Sequence, residues 1–106
     1  MHAFAVSDGG IVWQQTQNHS VAPTSVANGV VFSGLIGIEG FGLNAYDARS
    51  GKLLVRLPMS GSVNSAATPL EDYLFVTAGT STDGSGSGVF AFALPASEAG
   101  SEVAAQ

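Results

Sequence analysis

Short apolar runs alternate with glycine-rich and polar turns along the whole chain, and no helical period connects them. The clearest example is residues 44–55, where an extended run leads into a polar turn at Arg49-Ser50-Gly51 and a second apolar run begins at Lys52. Glycine suits such a turn because it accepts a positive φ. Asn28-Gly29 is the strongest two-residue hairpin signal in the chain. The pattern therefore predicts an all-β chain of short strands.

The turn and loop residues divide the chain into predicted strands, and the longer glycine-rich stretches predict loops. Glu71-Asp72 is predicted as a turn, and loops are predicted at residues 34–42 and 79–88. The predicted strands are residues 2–6, 11–16, 21–27, 30–32, 45–47, 52–57, 62–70, 73–77 and 89–94.

Several of these segments repeat. Residues 3–13 align with residues 45–55, residues 22–34 align with residues 66–78, and residues 91–94 repeat residues 3–6. A period near 44 with four short strands is typical of a β-propeller blade, and 106 residues hold roughly two and a half blades. We predict a partial propeller of antiparallel four-stranded blades over residues 1–95, with a flexible tail at 96–106. An all-β sandwich with accidental self-similarity is the alternative.

The distribution of side-chain sizes agrees with blades that converge on an axis. The predicted innermost strands carry small residues, the next strands are continuously apolar, and the basic residues lie near the turn at residue 51. An exposed blade edge accounts for Arg49, Lys52 and Arg56, with an anion site as the alternative. The small inner residues are Ala22, Ser25, Ala66 and Ala67.

Composition narrows the possible functions. A hydrophobic content of 45% with 10% charged residues argues against disorder, and a net charge of −5 makes nucleic acid an improbable partner. Cysteine is absent, so thiolate metal sites and disulfides within the chain are excluded. No apolar run reaches the ~18 residues of a membrane span, and no signal peptide is visible. Because Met1 begins inside a predicted strand, we expect the chain to be the C-terminal piece of a longer protein.

Motifs for catalysis are missing from the sequence. The glycine run at 84–88 lacks the spacing of a phosphate-binding loop, and no Gly-x-Ser-x-Gly elbow occurs. His2 and His19 have no nearby metal-ligating residues, and Asp83 alone falls far short of a calcium site. Trp13, the single tryptophan, is predicted to be a packing anchor, with a ligand-stacking platform as the alternative.

The segment Ala45-x-Asp47-x-x-Ser50-Gly51-Lys52-Leu53-Leu54 resembles the repeat of pyrroloquinoline-quinone (PQQ) propellers, in which a tryptophan docks onto the next blade. Trp13 stands at this docking position in the first copy, and Val55 replaces it in the second. The order of motifs over residues 2–95 resembles the C-terminal end of quinoprotein alcohol dehydrogenases. The segment around Ser62-Val63-Asn64 is most similar to the polyvinyl-alcohol dehydrogenase branch.

The resemblance implies a periplasmic or secreted protein whose complete propeller holds PQQ and Ca²⁺ and oxidises an alcohol or a sugar. The metal ligands and the catalytic base would come from upstream blades, so no catalytic residue is assigned to this chain. His19 and Asn64 precede inner strands on the implied cofactor side and are the candidate cofactor-binding residues. The alternative for both side chains is that they satisfy loop backbone groups.

Two functions follow from the resemblance. The first is part of the wall of a PQQ-dependent dehydrogenase-like propeller, inactive by itself, with the remaining blades as partners. The second is a non-catalytic PQQ-repeat propeller that acts as an interaction or assembly scaffold. Fewer than three repeats would leave faces and strand edges uncovered, so we also expect the isolated chain to associate.

Overall fold

The computed structural model describes residues 1–16, 20, 22–36, 41–79 and 87–93, which form an all-β structure. Within each sheet, consecutive strands pair antiparallel, and no helix occurs among the described residues. The strands are β1 (His2–Phe4), β2 (Ile11–Gln14), β3 (Ser25–Ala27), β4 (Val30–Leu35), β5 (Gly42–Asp47), β6 (Leu53–Pro58), β7 (Thr68–Leu70), β8 (Tyr73–Ala78) and β9 (Gly88–Ala93).

These strands form three sheets, in which neighbours in sequence are neighbours in space. Sheet 1 contains β1 and β2, sheet 2 contains β3 to β6, and sheet 3 contains β7 to β9. No sheet closes on itself within the described residues. The predicted all-β class with antiparallel sheets is confirmed, and sheet 2 has the four strands expected of one repeat.

Strand pairing reproduces the repeat that was predicted from the sequence. Ala3 pairs with Trp13, and Ala45 pairs with Val55 at positions 42 residues later. In both pairs the register shifts directly after the alanine. The β3–β4 and β7–β8 hairpins have equal strand lengths, and their paired residues correspond at a spacing of 43, so the predicted alignment of residues 22–34 with residues 66–78 is wrong by one residue. The sequence repeat is therefore also a repeat of backbone pairing.

The turns of the first two copies also correspond. Gly9 and Gly51 have φ values of +74° and +77°, the left-handed region that glycine enters without a steric penalty. Each donates its N–H to a carbonyl four residues earlier, that of Ala5 or Asp47, over 2.8 Å. The predicted turn at residues 49–51 is confirmed, and its first copy has the same backbone bonds.

The three sheets use corresponding faces to contact their neighbours. Cross-strand partners share a face of a sheet, so Phe32, Ala45 and Val55 lie together on the side of sheet 2 that packs against sheet 3. In sheet 1 the corresponding residue is Trp13, which contacts sheet 2. We call the face turned toward the following sheet the forward face and the opposite one the rear face.

The main core fills the space between sheets 2 and 3. It contains β-branched, aromatic and small side chains from both sheets and from the β6–β7 connection, and three further residues of sheet 3 (Leu74, Phe90 and Phe92) pack against it. Its buried members are Val30, Phe32, Leu43, Ala45, Val63, Ala67, Val76 and Ala78. The rear face of sheet 2 is buried too, so β4 and β5 are covered on both sides as predicted for the apolar run at residues 30–32.

Several predicted boundaries are wrong. Gly34 and Gly42 belong to strands β4 and β5 and not to a loop, because the pairing continues to Leu35 opposite Gly42. The predicted strand at residues 62–70 is a strand only from Thr68 onward. Before it, the Val63 N–H donates to the Leu35 carbonyl of β4 at 3.1 Å. Similarly, β3 begins only at Ser25.

Some predictions concern residues without a described structure. Most of the predicted loop at 79–88 and all of the predicted tail at 96–106 lie outside the described residues. The described part of the chain contains no helix long and apolar enough to cross a membrane.

Candidate functional site

The two candidate cofactor-binding residues are not brought together in a described site. His19 lies outside the described residues. Asn64 lies in the connection between β6 and β7, with an exposed side chain next to buried Val63. The neighbouring Ser65 hydroxyl bonds to the Thr77 hydroxyl, which fixes this connection to β8. No group of three His, Cys, Asp or Glu side chains suited to a metal ion occurs among the described residues.

The best-defined specific contact is the one between Trp13 and the β5–β6 turn. The indole Nε1–H donates to the Ala48 carbonyl at 2.8 Å, and the Gln15 side chain donates to the Gly51 carbonyl at 2.9 Å. A Cβ atom at Gly51 would lie 2.6 Å from Cδ2 and Cε3 of the indole. The ring therefore lies directly on the Gly51 backbone. These contacts support the predicted packing anchor.

The turn that receives Trp13 is held in shape by a short polar network. The Asp47 carboxylate accepts hydrogen bonds from the Ser50 hydroxyl at 2.6 Å and the Ser50 N–H at 3.0 Å. The Lys52 N–H donates to the Ser50 hydroxyl at 3.2 Å. Hydrogen bonds from Ser50, the side-chain bond first, lower the pKa of Asp47 because they stabilise its charged form. Asp47 and Ser50 thus hold the turn in shape.

A small pocket of about 140 Å³ lies between sheets 2 and 3. Its walls are mainly apolar, and Asn28, Glu71 and Asp72 lie at the hairpin turns that border it. Val55 is one of the wall residues and stands at the position that Trp13 has in the first copy. With a smaller side chain at this position, part of the space between the two sheets is left unfilled. The wall residues with ionisable side chains are Glu71, Asp72 and Tyr73.

The rear face of sheet 2 carries buried polar side chains that the sequence did not identify. The Asn44 Nδ2 group donates to the Tyr46 hydroxyl at 2.9 Å, and the two side chains are 6% and 2% exposed. The Asn44 Oδ1 atom is buried without a hydrogen-bond partner among the described residues. Ser33, opposite Asn44 on β4, is also buried. The available signal was the pair of polar residues at matching positions in two otherwise apolar strands.

Charge is distributed away from these features. Arg49, Lys52 and Arg56, the chain's three basic residues, are exposed around the β5–β6 hairpin. The Arg56 guanidinium lies beside the Gly42 backbone, where its Nε atom would be 3.3 Å from an added Cβ. Their exposure agrees with the predicted exposed edge.

Comparison with known proteins identifies no similar protein. No protein-family model matches the chain, and neither a curated protein nor a solved structure is significantly similar to it.

Proposed function

We propose that the chain contributes blades to the wall of a PQQ-repeat β-propeller and has no catalytic activity by itself. One observation carries this proposal: Trp13 of the first repeat packs on Gly51 of the second, at the place where the resemblance expects a tryptophan to dock. The contact joins two repeats through a residue of the motif. A sandwich with accidental self-similarity gives no reason for such a contact.

The repeated pairing supports the same proposal. Equivalent strands have the same register in successive sheets, and equivalent faces point toward the following sheet. A series of sheets stacked in one direction is how propeller blades follow one another. The described chain would supply the outer two strands of one blade, a complete second blade and three strands of a third.

The described residues do not fit a PQQ and calcium site. Ca²⁺ takes about 6–8 oxygen ligands, whereas no cluster of metal-ligating side chains occurs here. Asn64 is exposed on a connection and has no aromatic neighbour in sequence that could stack on a quinone. If the complete protein is a periplasmic or secreted dehydrogenase of alcohols or sugars, its cofactor ligands lie outside the described residues of this chain. The role of this chain is then to form the wall.

The same lack of ligands favours a second candidate, a non-catalytic scaffold. Large exposed apolar side chains on both outer sheets offer surfaces for protein partners, among them Phe4 in sheet 1 and Val89 in sheet 3. A scaffold would use these surfaces and would need no cofactor.

Dye-linked alcohol oxidation separates the two candidates. The complete reading frame that contains this chain would be incubated with PQQ and Ca²⁺, and dye reduction would be measured over a panel of primary, secondary and polymeric alcohols and sugars. The 106-residue chain, treated identically, is the matched control. A dehydrogenase predicts turnover by the complete protein and none by the control. Absence of turnover in both favours the scaffold, and turnover by the 106-residue chain contradicts the proposal.

A further inference from the structure

The two ends of the sheet stack are different surfaces, and both are exposed. The forward face of sheet 3 is the side opposite the core, where Tyr73 is 51% exposed and Val89 is 74% exposed. The rear face of sheet 1 is the side opposite Trp13, where Phe4 is 60% exposed and its cross-strand partner Ile11 is 59% exposed. Leu70 pairs with Tyr73 and extends the first of these surfaces with a 61% exposed side chain.

Within the chain, forward faces already contact rear faces. The forward face of sheet 2 packs on the side of sheet 3 that carries Leu74, Phe90 and Phe92. The forward face of sheet 1 reaches sheet 2 through Trp13. The two free surfaces at the ends of the stack are therefore one forward face and one rear face, the same combination that the molecule uses internally.

The repeat also relates the free rear face to a buried one. His2 and Phe4 in sheet 1 correspond at a spacing of 42 to Asn44 and Tyr46 in sheet 2. Tyr46 is only 2% exposed, because the rear face of sheet 2 is covered, whereas Phe4 has no such cover among the described residues. The aromatic residue at this position is suited to burial under another sheet.

We infer that copies of this chain associate head to tail, with the forward face of sheet 3 in one copy covering the rear face of sheet 1 in the next. The occupant of each end is a second copy, because the chain carries both halves of the contact on opposite ends. Such a contact is heterologous and continues from copy to copy until a ring closes. The inference depends on the stacking of the sheets and applies to the 106-residue chain; in the complete propeller of the proposed function, neighbouring blades of the same protein would cover both faces.

Matched glutamate substitutions test the two faces separately. Phe4→Glu blocks the rear face, and Val89→Glu blocks the forward face; both positions are exposed, so the fold is retained. Val6→Glu, in the β1–β2 turn, and Val26→Glu, on β3, add the same charge at exposed valines outside both faces. Mass would be measured by light scattering and analytical ultracentrifugation over a wide range of concentration, with circular dichroism to confirm the fold.

We expect the wild-type chain and both control variants to form species larger than a dimer, while each face variant alone is monomeric. An equimolar mixture of the two face variants should then form dimers and stop there, because each supplies one intact face. Ile11→Glu replaces Phe4→Glu if the latter does not fold, because Ile11 pairs with Phe4 and is also exposed. A monomeric wild-type chain overturns the inference. That result would be expected if the chain's own C-terminal residues covered the forward face. Association that survives in either face variant also overturns it, since a symmetric contact would use one face only.

Discussion

The contact between Trp13 and Gly51 can be tested by substitution, and Gly9, the equivalent glycine of the first copy, provides the control. Gly51→Ala introduces two costs: a non-glycine residue at φ +77°, and a Cβ atom 2.6 Å from two carbons of the indole. Gly9→Ala introduces only the first, because Gly9 has φ +74° and no atom within 4 Å of its added Cβ. The difference between the two variants therefore measures the tryptophan contact.

The expected magnitudes follow from these geometries. A left-handed alanine costs about 1–2 kcal/mol, and both variants should lose that amount of unfolding free energy. Overpacking a fixed ring against backbone adds about 1–3 kcal/mol. Gly51→Ala should therefore destabilise the chain by about 2–5 kcal/mol. In a Trp13→Ala background the additional cost should vanish, and Gly51→Ala should then resemble Gly9→Ala.

Urea unfolding followed by far-UV circular dichroism measures these differences without relying on tryptophan fluorescence. All variants would be compared at one protein concentration, because association contributes to apparent stability. The double-mutant cycle gives the coupling between Trp13 and residue 51 directly. If Gly51→Ala and Gly9→Ala lose the same free energy, and Trp13→Ala leaves that equality unchanged, the indole does not rest on the turn and the docking argument is refuted.

Two further predictions concern the close approach at Gly34 and the acidic turn. Gly34→Ala should lower the unfolding free energy in urea by about 1–3 kcal/mol, since its Cβ would lie 2.7 Å from the Val63 carbonyl oxygen. The control Gly88→Ala places its Cβ no closer than 3.5 Å to a Phe90 ring atom and should cost nothing. Equal losses in the two variants would contradict the contact at Gly34. Because the pKa of Asp47 is lowered in the folded chain, its contribution to stability is present above the ordinary value of 3.8 and is lost as pH falls through the lowered value. Ser50→Ala should raise that pKa in a carbon-detected NMR titration, and an unchanged titration curve would show that the Ser50 hydroxyl is not the cause.

Much of the fold could be predicted because its signals are local. Asn28 and Gly29 both have positive φ, as the Asn-Gly dipeptide predicts for a tight hairpin. Glu71 has φ +53° in the corresponding hairpin although glutamate has no such preference. There the prediction of a turn rested on the polar pair Glu71-Asp72. The predicted alignment of residues 22–34 with residues 66–78 places the equivalent of Asn28-Gly29 one residue too late.

The wrong boundaries of the predicted loop at residues 34–42 have a physical cause that local patterns do not contain. Glycines between apolar runs usually indicate a turn, yet Gly34 lies inside β4. An added Cβ there would be 2.5 Å from the Val63 side chain, which reaches it from the β6–β7 connection. The requirement for glycine thus comes from a residue 29 positions away, and only the three-dimensional structure reveals it.

The candidate site was less predictable than the fold, because its evidence came from resemblance. Asn64 was selected for its position before an inner strand, and it is exposed on a connection with no described cluster of ligands around it. Asn44 and Tyr46, which are buried and bonded to each other, were interpreted only as parts of a strand. Burying the Asn44 oxygen without a partner among the described residues costs about 1–3 kcal/mol of folding free energy. The burial of this side chain, which the motif does not reveal, therefore shows where a polar group is costly to the fold.

The two contacts between sheets are built differently, and this difference bears on how the stack is held together. Sheets 2 and 3 share a continuous core, in which Val55 has the position of Trp13 in the first copy and lines a small pocket. Sheet 1 reaches sheet 2 through Trp13 and Gln15, while Phe4 and Ile11 remain exposed on its other side. A two-stranded sheet is marginally stable without cover on its apolar surface. Sheet 1 is therefore the part of the described chain that depends most on one side chain, and it gains most from a neighbouring sheet on its rear face.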